Sequence, residues 1–177
     1  SWMGTVSLMV SCAGILGNGR VLGKKGPMES SFFAKVIQIN LIGAFVLTKA
    51  CARHMANNTV ADGEDRGIII HTASIAAFEG QLGQAAYSAS KSGVVGMILP
   101  LAREFAAFKI RVMGIAPGMF DTGMLGGVSD EIRQQLESSV PYPARFGQPA
   151  EFASLVNHIV DNGMFNGTIL RLSLIHI

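Results

Sequence analysis

Apolar positions in this chain fall into long helical stretches separated by short continuous runs. Across residues 29–56, Phe32, Phe33, Val36, Ile37, Ile39, Leu41, Ile42, Phe45, Val46 and Leu47 recur at helical spacing. They occupy a wide arc, so more than one face of that helix is expected to be covered. A second long helix is predicted over 84–107, with Gly93 and Gly96 leaving room for a neighbour and Pro100 producing a kink. Runs at 6–10, 67–72, 109–116 and 166–172 read as strands. Glycine and basic residues make 17–27 a loop, and polar residues make 57–66 a surface loop. A short helix is predicted near 129–138, and Pro149 marks the first turn of another.

Composition narrows the class. A length of 177 residues suggests one domain, and 49% hydrophobic residues are enough for a substantial core. A net charge of +2, with scattered Lys and Arg, gives no nucleic-acid footprint. Cys12 and Cys51 have no metal-ligand spacing and read as buried free thiols of a reducing compartment. The four histidines include no H-E-x-x-H pattern, so no metal site is expected. No apolar run is read as approaching the roughly 20 residues of a membrane span, so no membrane partner is expected.

The chemistry lies in Tyr87 and Lys91, four residues apart and therefore one helical turn from each other on one face. A phenol with a pKa of about 10 is a poor base at neutral pH, and a fixed ammonium beside it favours the phenolate. Small residues around the pair, Ala85, Ala86, Ser88, Ala89, Ser90 and Gly93, would let a bulky ligand approach. For that pair alone, an ordinary amphipathic helix with a buried Tyr and a surface Lys is the better reading. Upstream, however, the apolar run Gly67–Thr72 breaks into polar residues ending at Ser74, at the strand end where α/β sheets bind ligands.

Ser74, Tyr87 and Lys91, in this order and spacing, resemble the catalytic triplet of the short-chain dehydrogenase/reductase family. Residues 73–80 (Ala-Ser-Ile-Ala-Ala-Phe-Glu-Gly) running into 84–91 are similar to its branch of type-2 3-hydroxyacyl-CoA dehydrogenases. The resemblance implies an α/β, Rossmann-like doubly wound parallel sheet. It makes Tyr87 the general acid/base, Lys91 its partner and holder of the nicotinamide ribose, and Ser74 the donor to the substrate oxygen. Asn40, a polar residue on an apolar helix, would anchor a proton-relay water. Cys12, Ala13 and Gly14 would border the cofactor, Pro117 and Gly118 shape its ring pocket, and Thr122 bond its carboxamide. Ser11 departs from the family's asparagine at that motif. The implied cofactor is NAD, with NADP open, and the implied substrates are acyl-CoA thioesters. A homotetramer packed through the two long helices and a cytoplasmic or mitochondrial-matrix location follow from the same resemblance. The alternatives are an NADPH-dependent 3-oxoacyl carrier-protein reductase and a noncatalytic scaffold subunit.

No strand followed by a Gly-rich turn and helix occurs in the sequence. The resemblance therefore implies an amino-terminally truncated fragment. Residues 1–172 would form a partial domain lacking the first βαβαβ portion and supplying only the carboxyl-terminal strands four to seven with their helices. Such a chain, with an open edge at 6–10, is expected to be unstable and not to bind NAD. Residues 173–177 resemble translated adapter sequence and are expected to be a non-native tail.

Overall fold

A computed structural model describes residues 5–24, 26–123 and 129–173. Strand β1 (Leu8–Ser11) is followed by the small ribbon β2 (Leu22–Gly23) and β3 (Gly26–Pro27). Next come α1 (Ser30–Ile37), a π-helical turn (Gln38–Ile42), α2 (Gly43–Met55), β4 (Gly67–Thr72), α3 (Ala85–Phe105) and β5 (Ile110–Pro117). Helices α4 (Asp130–Ser138) and α5 (Pro149–Asp161) precede β6 (Ile169–Leu172). The main sheet has the order β1-β4-β5-β6, every pair parallel. Helices separate these strands in sequence, as parallel neighbours require.

Side-chain alternation sorts the core into two layers. Met9, Ile69, Ile110 and Val112 face one side, where Ala52 and Met55 of α2 and Ile98, Leu101 and Ala102 of α3 cover them. Ile68, Ile70, Met113 and Ile115 face the other, under Val156 and Ile159 of α5. Helices on both faces explain why β4 and β5 are continuous apolar runs rather than alternating ones. Gly67 sits where a Cβ would lie 2.5 Å from the Met55 sulfur, so the start of β4 needs the missing side chain to meet α2.

The α/β Rossmann-like sheet agrees with the sequence reading, but its expected extent does not. Residues 8–55 form an intact amino-terminal strand–helix unit, β1 to α2, with β1 paired to β4 in register and α2 packed on both strands. That unit overturns the description of the chain as an amino-terminally truncated, carboxyl-terminal part with strands four to seven alone. The reason lies in residues 29–56, whose wide apolar arc belongs to the crossover that follows β1 and packs it into the sheet.

The same helical stretch corrects a second expectation. Ser30–Met55 is continuous over 26 residues, contains an 18-residue window of mean hydropathy 1.6, and is long and apolar enough to cross a membrane by length and composition. Here its inner edge, Val36, Ala44, Thr48, Ala52 and Met55, is buried against the rest of the fold, while Phe33, Ile42, Phe45, Val46 and Leu47 stay exposed. Gly93 of α3 works as read: a Cβ there would meet Leu41 Cδ2 at 2.6 Å, so the glycine admits the helical crossover. Gly96 faces open space instead. Neither cysteine is fully buried; Cys12 is exposed and Cys51 half-buried.

Arg111 gives β5 an unexpected role. It lies inside an apolar strand yet reaches the carboxyl end of α5, donating to the carbonyls of Ile159, Val160, Asn162 and Phe165. Its Nε also pairs with Asp65 at 2.5 Å, so the 57–66 loop is tied to this strand. The final carbonyls of a helix have no intrahelical donor, and a fork of five N–H groups suits them.

Candidate functional site

The site forms at the carboxyl ends of β1, β4 and β5. Ser74 follows β4 in extended conformation (φ −168°, ψ 154°) and opens a short 3-10 turn, Ile75–Ala77. Its hydroxyl oxygen accepts from Ala76 N–H at 3.1 Å, which leaves its proton for the Tyr87 phenol, whose ionisation it favours. Tyr87 and Lys91 come from the first turns of α3. The Lys91 Nζ donates to the Thr72 carbonyl at 2.8 Å and lies 5.8 Å from the Tyr87 ring centroid. Ser74, Tyr87 and Lys91 are all at least nine-tenths buried, yet all line one cavity of about 530 Å³.

The electrostatics differ from the simple ammonium–phenol expectation. Burial pushes the Tyr87 phenol above its ordinary value, and the Ser74 hydrogen bond pulls it partly back. Burial lowers Lys91 to about 8, opposed by the nearby Cys12. Lys91 therefore remains mostly cationic at neutral pH while Tyr87 keeps its proton. Desolvation outweighs the pair attraction because both groups lie against the sheet rather than in water.

Asn40 stands behind this wall, not in it. The π-helical turn Gln38–Ile42 turns its buried amide toward the segment after β1. Its Oδ1 accepts from Ile15 N–H and its Nδ2 donates to Ile15 O, both at 2.9 Å. The second Nδ2 proton goes to Ser90 Oγ at 3.0 Å, and Ser90 donates to the Tyr87 carbonyl at 2.7 Å. Both amide protons are thus spent on protein. The side chain ties the β1 exit to the backbone that carries Tyr87.

The remaining candidates are divided. Cys12, Gly14, Pro117, Gly118 and Thr122 line the cavity, whereas Ala13 is exposed and outside its lining. A Cβ on Gly14 would sit 3.7 Å from Lys91 Nζ and 3.2 Å from Asn40 Oδ1, so this glycine keeps the approach to Lys91 open. Sequence reading missed Leu16, Gln84, Pro149 and Phe152, which also line it. Phe152 arrives from α5 and stacks edge-on to Phe120 at 6.3 Å, a contact no local spacing announces. Thr72 was the exception, since the polar break at the end of β4 pointed to it. The sequence also offers Met119, Phe120, Met124 and Leu125, on a Gly-bounded segment, as a lid over an acyl chain; Met119 and Phe120 line the cavity, and Met124 and Leu125 lie outside the described residues. Among the described residues, no three His, Cys, Asp or Glu side chains are grouped to hold a metal.

His71, wholly buried beside this site, has a fixed tautomer. Thr48 spends its only hydroxyl proton on Ala44 O at 2.8 Å, so His71 Nε2 must be the donor in their 3.0 Å bond. Nδ1 is then an unprotonated, buried lone pair. Burial, aided by the Lys91 charge, lowers the imidazole to about 4. The unfolded chain takes up this proton near pH 6.5, before the fold does. His71 stability is complete above that pH and is lost progressively as pH falls toward 4, by about 3 kcal/mol in total. His71→Asn is expected to flatten this part of a stability–pH curve measured by urea unfolding; identical curves for the two proteins would rule it out.

Comparison with known proteins adds the following. A short chain dehydrogenase family model matches residues 1–133. The chain is 48% identical over 171 residues to the 3-hydroxyacyl-CoA dehydrogenase type-2 of Bos taurus, covering 96% of this chain and 66% of that protein. Identity is 47% with the Homo sapiens protein of the same name, over the same shares. The chain thus spans 66% of the length of these relatives. A crystal structure of a 3-hydroxyacyl-CoA dehydrogenase type-2 from Mycobacterium avium superposes with a TM-score of 0.90 at 34% identity, covering 97% of this chain and 67% of that one.

Proposed function

The chain belongs to the short-chain dehydrogenase family, and from that premise we propose that it carries an NAD-dependent site interconverting a 3-hydroxyacyl-CoA and its 3-ketone. The observation that carries this reading is the convergence of Ser74, Tyr87 and Lys91, all at least nine-tenths buried, on the wall of one cavity. The names of the relatives at 48% and 47% identity supply the substrate class.

In reduction, the protonated Tyr87 phenol gives its proton to the carbonyl oxygen as charge develops there. The Ser74 hydroxyl donates to the same oxygen, a fixed dipole in a site where desolvation strengthens it. In oxidation the phenol oxygen takes the proton back. Lys91 spends one N–H on Thr72 O and has two further donors for a ribose hydroxyl pair. The cradle left by Gly14 and the cavity lined by Pro117, Gly118 and Thr122 fit a nicotinamide ribose and ring. The bound dinucleotide supplies hydride transfer. Asn40 and Ser90 hold Tyr87 in place through its backbone.

The exposed apolar side of α1 and α2, with Phe33, Phe45 and Val46, fits the helix-to-helix packing of a homotetramer. The compartment that goes with this proposal is the cytoplasm or the mitochondrial matrix. The test is consumption of NADH with acetoacetyl-CoA, followed at the reduced cofactor's absorbance band. Saturable turnover is expected. A cooperatively folded protein that consumes neither NADH nor NADPH would overturn the proposal.

A further inference from the structure

A second cavity of about 200 Å³ takes no part in the chemistry above. It adjoins the first, because Met119 and Phe120 line both. Glu79 lines the larger and Arg171 the smaller, and these two side chains are joined by an ion pair at 2.5 Å. The Arg171 guanidinium also stacks on Phe78, 4.3 Å from its ring centroid. Phe78 and Glu79 directly follow the turn that starts at Ser74, so β6 clasps the segment bearing the substrate-oxygen donor.

The two parts of this partition differ in strength. Phe120 is wedged: a Cβ on Gly147 would lie 2.7 Å from its ring, and Phe152 packs edge-on against it. The Arg171–Glu79 pair is 44% and 41% exposed, and an ion pair at such exposure holds only weakly. Beyond it, Val140 and Leu172 offer apolar wall beside the Arg145–Glu151 pair.

We propose that Arg171, paired with Glu79 and stacked on Phe78, is a specificity-determining residue that closes the smaller cavity to the acyl chain and so limits acyl length. The inference rests on the acyl-thioester reading above. With the clasp in place a short acyl chain fills the larger cavity; with it removed a longer chain extends past Met119 into the smaller one.

The test uses butanoyl-CoA and octanoyl-CoA, which lack the reacting oxygen and report binding without turnover, measured by calorimetry. Arg171→Ala is expected to raise the octanoyl-to-butanoyl affinity ratio about 10-fold, the scale on which apolar pockets discriminate chain length. Glu79→Gln, which weakens the pair without removing volume, is expected to move the ratio the same way by about 3-fold. Both should melt within a few degrees of the unmodified protein, as an exposed pair predicts. An unchanged ratio in Arg171→Ala overturns this inference alone. If the unmodified protein binds neither thioester, the thioester reading falls and the inference falls with it.

Discussion

Tyr87→Phe is expected to lower kcat for acetoacetyl-CoA reduction about 1000-fold, within the range for a positioned proton donor, with KM changed little. The substitution deletes one oxygen from a side chain that is 9% exposed and leaves its ring packing intact. The Ser90 bond to the Tyr87 carbonyl is untouched, as is the Ala76 N–H bond to Ser74. Cofactor-facing donors on Lys91 also remain, because Lys91 is anchored on Thr72 and not on the phenol. The loss should therefore fall on the chemical step. A spectroscopic control is available, since the chain has two tyrosines and Tyr142 is 83% exposed. In Tyr142→Phe, ultraviolet titration of phenolate should show one group with a midpoint above the ordinary value, because burial dominates the Ser74 bond. Rates within about 3-fold of the parent in Tyr87→Phe would remove this tyrosine from the mechanism.

What was legible in the sequence depended on how locally its cause is written. Strand β4 was read with its observed ends, because an apolar run broken by polar residues encodes both burial and exit. Tyr87 and Lys91 were legible because four residues of helix fix their relation. Ser74 was legible as the polar stop of a strand. Phe152 and Pro149 reach the same cavity from α5, and only the packing of α5 on β4 and β5 brings them there. Asn40 was singled out for being polar among apolar neighbours. Its partner in the backbone of Ile15, 25 residues away, could not be inferred from spacing. The pKa order of Tyr87 and Lys91 was misjudged for a related reason: spacing reports that two groups are near each other, but not how much water each has lost. The extent of the fold is not legible from the residues around Ser74 and Tyr87, because likeness at the site does not define which strands precede it. The strand–helix unit at residues 8–55 is defined instead by its own register with β4.

Arg111 shows the largest energetic consequence of such hidden partners. Arg111→Met is expected to cost about 3–5 kcal/mol, the loss typical when one side of a buried charged network is removed, and to lower Tm by about 10 °C. Methionine matches the length of the stem, so little of the loss comes from packing. Arg111 is 7% exposed, and its guanidinium donates to Ile159 O at 2.9 Å, Val160 O at 2.9 Å, Phe165 O at 3.0 Å and Asn162 O at 3.3 Å. These carbonyls close α5, whose Val156 and Ile159 cover the β4–β5 face. Without the fork they must find water at a part-buried helix end or remain unpaired, and the negative end of the helix loses its cation. Asp65, 39% exposed in its side chain, contributes far less, so Asp65→Asn should cost under about 1 kcal/mol. Arg111→Lys should fall between the two, since one ammonium supplies charge but cannot span carbonyls on both sides of the helix end. Thermal melts of the three variants decide the matter. If Met and Asn lowered Tm equally, the stabilisation would reside in the ion pair and not in the carbonyls of α5.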